Sequence, residues 1–136
     1  IEMLCQFFAA LRTGSLVAVE GQPGLTEGDI SRIAAARRIV DTRWQEKLTI
    51  DNIARSCGIN RDKLTRGFRE LYHCSVGEAL SERRLRQART LLAASDLPVA
   101  SIGYRCGYLN NARFTRAFSR RFGMAPTAMR RMGVAA

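Results

Sequence analysis

Acidic residues run out at Asp96: from Leu97 to Ala136 there are seven arginines and no Asp or Glu. Over the whole chain 22 basic residues face 12 acidic ones, a net +10, and 20 of the 22 are Arg. That balance argues against a cationic partner and for a polyanion, most often nucleic acid. A basic surface kept for solubility is the bland alternative. Histidine is nearly absent, with His73 alone, and Cys5, Cys57, Cys74 and Cys106 show no Cys-x-x-Cys spacing. A metal site needs more ligands at closer spacing, so none is expected. No apolar run approaches the roughly 20 residues of a membrane span, and nothing resembles a signal peptide. A soluble, cytoplasmic protein with no membrane partner is the expectation. Its 136 residues suit one domain or two very small ones sharing an interface. Because it begins at Ile1, it reads as a piece of something longer.

What is present is a repeat. Ile50-Asp-Asn-Ile-Ala-Arg-Ser-Cys-Gly58, followed by Leu64-Thr-Arg-Gly-Phe68, returns as Val99-Ala-Ser-Ile-Gly-Tyr-Arg-Cys-Gly107 and Phe114-Thr-Arg-Ala-Phe118. Gly58 and Gly107 are 49 apart while Phe68 and Phe118 are 50 apart, so one residue is inserted in the second turn. Each copy reads as helix, tight Gly turn, helix, with a small residue (Ala54, Gly103) at the crossing. That is the helix-turn-helix pattern, and two copies at fixed separation are far more specific than one.

Between the copies, Ser75 to Ser95 reads as one unbroken helix. Ser75 and Glu78 form a capping box, the hydroxyl taking a free first-turn N–H and the carboxylate reaching back to the cap's own N–H. Ala79, Leu80, Leu85, Ala88, Leu91 and Leu92 recur at helical steps on one face. At about 1.5 Å per residue, twenty residues span roughly 30 Å. Successive major grooves on one side of B-DNA are about 34 Å apart. A strut of that length can set two reading elements into adjacent grooves.

Taken in order, Ile1–Leu16 carries Ile1, Leu4, Cys5, Phe8 and Leu11 at helical spacing and reads as a helix, with a Gly-rich linker after it. Asp29 is the expected cap of a helix running to about Glu46, with Ile30, Ile33, Ala34, Val40 and Trp44 as its buried stripe. Thr49 caps the first helix of the first copy, and Asn60 starts its second. In the second copy Asp96-Leu97-Pro98 leads into Val99–Cys106, and Asn110–Phe122 follows the turn. Pro126 opens a last short helix, with Ala125 where a Ser cap serves better. Cys57 and Cys106, each one residue before a turn Gly, suit small buried apolar positions. No nucleophile–base pair is visible, so an enzyme is not expected. DNA alkyl repair by a sacrificial cysteine would require an activated thiolate, and no cluster supplies one.

Advancing about 100° per residue from Leu64 turns Leu64, Phe68, Leu71 and Tyr72 inward and Asp62, Thr65, Arg66, Arg69 and His73 outward. From Phe114 the same arithmetic buries Phe118, Phe122 and the stem of Arg121, and turns out Ala112, Thr115, Arg116 and Ser119, with Arg113 and Arg120 on the flank. In a major groove Arg can bond guanine O6 and N7, and Thr can meet a thymine methyl. Asp62 either accepts from cytosine N4 or orients Arg66 four residues on. Asn110 and Asn111 either read adenine or cap the helix. Lys63, Arg61, Arg83, Arg84, Arg120, Arg130 and Arg131 suit phosphate contacts or plain solvated charges.

From about Ile30 to Arg131 the chain resembles the DNA-binding domain of the AraC/XylS transcription regulators. The match lies in Arg84-Leu85-x-x-Ala88-x-x-Leu91-Leu92, Ile102, Gly107-Tyr108, Phe114-x-Arg116-x-Phe118 and Phe122-Gly123-x-x-Pro126. The resemblance implies an all-α fold of seven helices, two helix-turn-helix subdomains joined by a long linker helix. Residues 1–19 would then be a helix left from an upstream sensing or dimerisation domain, 20–28 a linker, and 29–136 the DNA-binding domain. Within it the first helix-turn-helix covers 29–74, the linker helix 75–95 and the second helix-turn-helix 96–136. Carried across by motif position, base contacts fall on Asp62, Lys63, Thr65 and Arg66, and on Asn111, Ala112, Arg113, Thr115 and Arg116; the outward row adds Arg69. Phosphate contacts fall on Thr49, Arg61, Arg83, Arg84, Asn110, Arg120 and Arg130. Departures from the family pattern are Ala125 for Ser, Gly103 for Ala and Met129 for Tyr. The implied function is sequence-specific binding of double-stranded DNA in successive major grooves by an effector-controlled activator at the bacterial nucleoid. RNA polymerase, and a second copy bound through the missing upstream region, are the implied partners; no cofactor is implied. A non-specific nucleic-acid-binding or protein-interaction module is the alternative.

Overall fold

A computed structural model describes residues 24–133; the expected helix over Ile1–Leu16 and the reading of Cys5 lie outside them. The described chain is all-helical. The order is α1 (Glu27–Thr42), α2 (Ile50–Cys57), α3 (Arg61–Tyr72), α4 (Val76–Ala94), α5 (Val99–Arg105), α6 (Asn111–Phe122) and α7 (Pro126–Arg131). It divides into two compact units. The first holds α1 to α3 and the start of α4 as far as Ala79; the second holds the turn Arg43–Lys47 and everything from Leu80 onward.

In the first unit, α1 starts three residues earlier than its sequence suggests, because Thr26 and not Asp29 is the cap. The Thr26 hydroxyl accepts from the Asp29 amide and the Asp29 carboxylate accepts from the Thr26 amide, both at 3.0 Å, a reciprocal capping box. The helix also stops at Thr42 and not near Glu46, leaving Trp44 in a turn. A forked Arg43–Glu46 pair (2.9 and 3.0 Å) spans that turn. Ile33, Ala36 and Val40 form the buried stripe, with Ile30 and Ala34 half-buried beside it. Ile53, Ala54, Leu64, Phe68 and Leu71 complete this core. Gly58 ends α2 with φ 72°, a left-handed turn that glycine enters without a Cβ penalty.

In the second unit, α4 presents Leu80, Leu85, Ala88 and Leu92 to the core. Its start, in the first unit, has the expected box: the Ser75 amide donates to Glu78 (2.8 Å) and the Glu78 amide to Ser75 Oγ (3.0 Å). Trp44 is buried as an anchor here, with the Arg83 guanidinium 5.2 Å from its ring. Ile102, Cys106, Phe114, Phe118 and Met129 fill the rest. Cys106 is fully buried whereas Cys57 is only half-buried, so the shared core role expected of the two holds for Cys106 alone. Arg121 does not bury its stem as the wheel suggested. Glu82 draws it outward into a forked pair (2.5 and 2.8 Å), and it is about half exposed. Ser119, placed outward by the same wheel, is half-buried.

The two cores solve one crossing differently. A Cβ built on Gly103 would lie 2.7 Å from Phe114 Cδ2 and 2.8 Å from its Cγ. The first unit has Ala54 and Leu64 at the matching places, both buried. The extra methyl in one unit is therefore exchanged for the larger ring in the other. Gly103→Ala is expected to destabilise the second unit by about 1–3 kcal/mol through overpacking, despite a helix-propensity gain of about 1 kcal/mol. Adding Phe114→Leu should recover part of that loss relative to Phe114→Leu alone. Urea unfolding followed by the single tryptophan, Trp44, tests this; a raised midpoint for Gly103→Ala would refute the crossing argument.

Candidate nucleic-acid interface

The second helix of each helix-turn-helix is set by its own cap. Asn60 accepts from the Lys63 amide (2.8 Å) and Asn110 from the Arg113 amide (3.0 Å). Asn110 is thus the cap and Asn111 the first helical residue of α6, so the capping role falls to Asn110 and not to Asn111. α3 closes at His73, whose φ of 63° is the one positive value at a non-glycine among the described residues.

On α3, Asp62, Thr65, Arg66 and Arg69 are exposed. Arg69 reaches Glu78 at 3.8 Å across open surface, worth little in stability. No ion pair joins Asp62 to Arg66 among the described residues, so the suggestion that Asp62 orients that arginine is not met. Lys63 differs from its neighbours. Its ammonium sits 3.4 Å from the buried carboxylate of Asp29. That carboxyl is held below the usual range first by the Thr26 amide, against the opposing effect of burial, and then by Lys63.

On α6, Asn111, Ala112, Arg113, Arg116 and Arg120 are exposed and Thr115 is half-buried. Among the described residues no ion pair or hydrogen bond engages the guanidinium of Arg66, Arg113, Arg116 or Arg120. The Thr-Arg dipeptide therefore recurs at equivalent places on both helices with its guanidinium free.

Several residues expected at phosphates are occupied. Arg84 donates from Nε to the Trp44 carbonyl (2.9 Å) and from Nη2 to that of Glu46 (3.0 Å). Arg130 donates to the carbonyls of Leu92 (3.3 Å), Ser95 (3.0 Å) and Leu97 (2.6 Å). Arg83 covers Trp44 and approaches Gln87 (3.4 Å). Arg61 pairs loosely with Asp51 (3.5 Å) on the surface. Thr49 caps α2, accepting from the Asn52 amide at 3.1 Å. Sequence spacing missed these ties because the partners of Arg84 and Arg130 lie more than 30 residues away in the chain.

Burial pushes the Cys106 thiol up to about 11, against the pull of Arg84 and Arg83. It is a neutral thiol near pH 7, the reverse of an activated nucleophile. Among the described residues no group of His, Cys, Asp and Glu could hold a metal ion, and no helix is long and apolar enough to cross a membrane.

A family model described as a helix-turn-helix domain matches residues 53–132. The probable transcription factor PqrA of Proteus vulgaris is 33% identical over 88 residues, 65% of this chain and 72% of its own. The regulatory protein SoxS of Salmonella typhimurium is 32% identical over 91 residues, 67% of this chain and 85% of its own. A transcriptional regulator of the AraC-type DNA-binding class from Chromobacterium violaceum superposes with TM-score 0.71 at 25% identity, over 79% of this chain and 96% of that one. The DNA-binding domain of AdpA, solved in complex with a target DNA, gives TM-score 0.70 at 26% identity, over 74% and 91% of the two chains. Its relatives are transcription regulators rather than enzymes, and the chain belongs to the AraC/XylS family, of which it carries the DNA-binding domain.

Proposed function

We propose that this chain reads a specific double-stranded DNA sequence, with α3 and α6 entering successive major grooves. The observation that carries the reading is the pair of uncommitted arginines, Arg66 and Arg116. They stand exposed at equivalent places on two capped helices, while Arg84, Arg121 and Arg130 are tied to carbonyls or a carboxylate. A free fork is what bidentate recognition of guanine requires. Asp62, Thr65 and Arg69 flank Arg66 in this reading; Asn111, Arg113 and Thr115 flank Arg116. Lys63, anchored by Asp29, takes a positioning role for α3. Arg61, Arg120 and Arg131 supply phosphate contacts, and Thr49 and Asn110 offer the ends of α2 and α6 to the backbone. Further from the geometry, family membership supports activation of transcription in the cytoplasm at the nucleoid. Contact with RNA polymerase, and control by an effector or by pairing of two copies through an upstream domain, belong to the same proposal.

The test is selection of bound duplexes from a random pool, followed by variants on the selected site. Arg66→Ala and Arg116→Ala should each weaken specific binding by about 1–3 kcal/mol and relax preference at one base position. Equal losses on selected and random DNA would favour the non-specific alternative. So would a preference that vanishes as salt rises.

A further inference from the structure

The structure identifies which residue the second turn gained. In the first unit the amide of Ile59, directly after Gly58, donates to the Ala54 carbonyl (3.1 Å). In the second the amide of Tyr108, directly after Gly107, donates to the Gly103 carbonyl (2.9 Å). Tyr108 therefore plays the part of Ile59. Its ring packs against Phe114 (centroids 5.5 Å apart) and its hydroxyl meets Ser81 Oγ at 3.2 Å. Leu109 is the additional residue. It is 76% exposed, the most exposed of the large apolar side chains among the described residues.

An apolar residue at the N′ position usually packs back onto its helix as a staple. Here Tyr108 already covers Phe114, and Leu109 is left outside, one residue before the cap of α6. The exposed residues that follow it on that helix end are Asn111 and Ala112, then Arg113 and Arg116. Ala112 offers no hydrogen bond, and the matching place in the first unit is held by the charged Asp62. At this one place α6 is apolar where α3 is acidic, between an exposed Asn111 and Arg113 on α6 and beside an exposed Arg61 on α3. In the major groove the apolar feature of a base pair is the thymine 5-methyl group.

We infer that Leu109, with Ala112 beside it, is a specificity-determining contact to a thymine 5-methyl under the second unit. This rests on the proposed reading of DNA by α6. A duplex selected from the random pool is remade with deoxyuridine for each thymine in turn, which removes the methyl and leaves the pairing edge unchanged. One substitution under the second unit should weaken binding about fourfold, the equivalent of roughly 0.8 kcal/mol for one buried methyl. Leu109→Ser should bind the thymine and uracil duplexes alike, while Arg116→Ala keeps the discrimination. Because Leu109 lies outside the core, the variant should fold normally, as its Trp44 emission would show. Retained sequence preference with no thymine–uracil difference, or a difference that survives in Leu109→Ser, overturns this inference alone. Absence of any selected sequence overturns the DNA reading beneath it.

Discussion

Replacing Arg130 with alanine is expected to lower the stability of the second unit by about 2–4 kcal/mol. α4 has no basic residue in its own last turn. One of its final carbonyls, that of Leu92, and the negative end of its dipole are instead met by a guanidinium from α7, which also reaches the carbonyls of Ser95 and Leu97. Hydrogen bonds from a charged donor contribute more than neutral ones, roughly 1.5–3 kcal/mol each when shielded. Arg130 is only half-buried, so water replaces part of what is lost and three such bonds cannot be summed. Lysine should restore little, since a point charge cannot fork among three acceptors. Urea denaturation followed by Trp44 emission reads the effect in the unit that contains both residues. A change below about 0.5 kcal/mol, the range of ordinary surface substitutions, would return Arg130 to the set of free surface charges.

Gly107→Ala should cost about 3 kcal/mol, by two routes that a mutant cycle can separate. The backbone there has φ +99°, and an added Cβ would stand 2.9 Å from Arg84 Nε and 3.0 Å from its guanidinium carbon. Strain at such a φ contributes roughly 1–3 kcal/mol for a residue with a side chain. The rest comes from Arg84, which must move and so loosen its bonds to the Trp44 and Glu46 carbonyls. In an Arg84→Ala background only the strain remains. The two changes should therefore be non-additive by about 1–2 kcal/mol. Full additivity would mean that Arg84 does not rest against the turn.

Much of this was legible because the signals are local. Ser75 with Glu78, Asn60, Asn110, Gly58 and Gly107 each act within four residues, and each sits where spacing placed it. The recognition rows were readable for the same reason: 100° per residue needs no tertiary knowledge. The wheel failed at Arg121, Ser119 and Thr115, since it reports the direction of a side chain and not what a neighbouring helix offers there. It also gave no warning that α1 would end at Thr42, where a turn held by Arg43 and Glu46 intervenes.

By itself, the amino-acid order determined the helices, the caps of α2, α3, α4 and α6 though not that of α1, the doubled helix-turn-helix and the faces bearing Arg66 and Arg116. These follow from backbone hydrogen bonding and from the 3.6-residue period, which operate over a few positions. Only the tertiary structure decided which of the many arginines are free. Arg84, Arg121 and Arg130 find their partners 33 to 40 residues away, and packing alone brings those carbonyls and that carboxylate within reach. It likewise showed that the residue added to the second turn is Leu109, because the Tyr108 amide makes to Gly103 the bond that the Ile59 amide makes to Ala54.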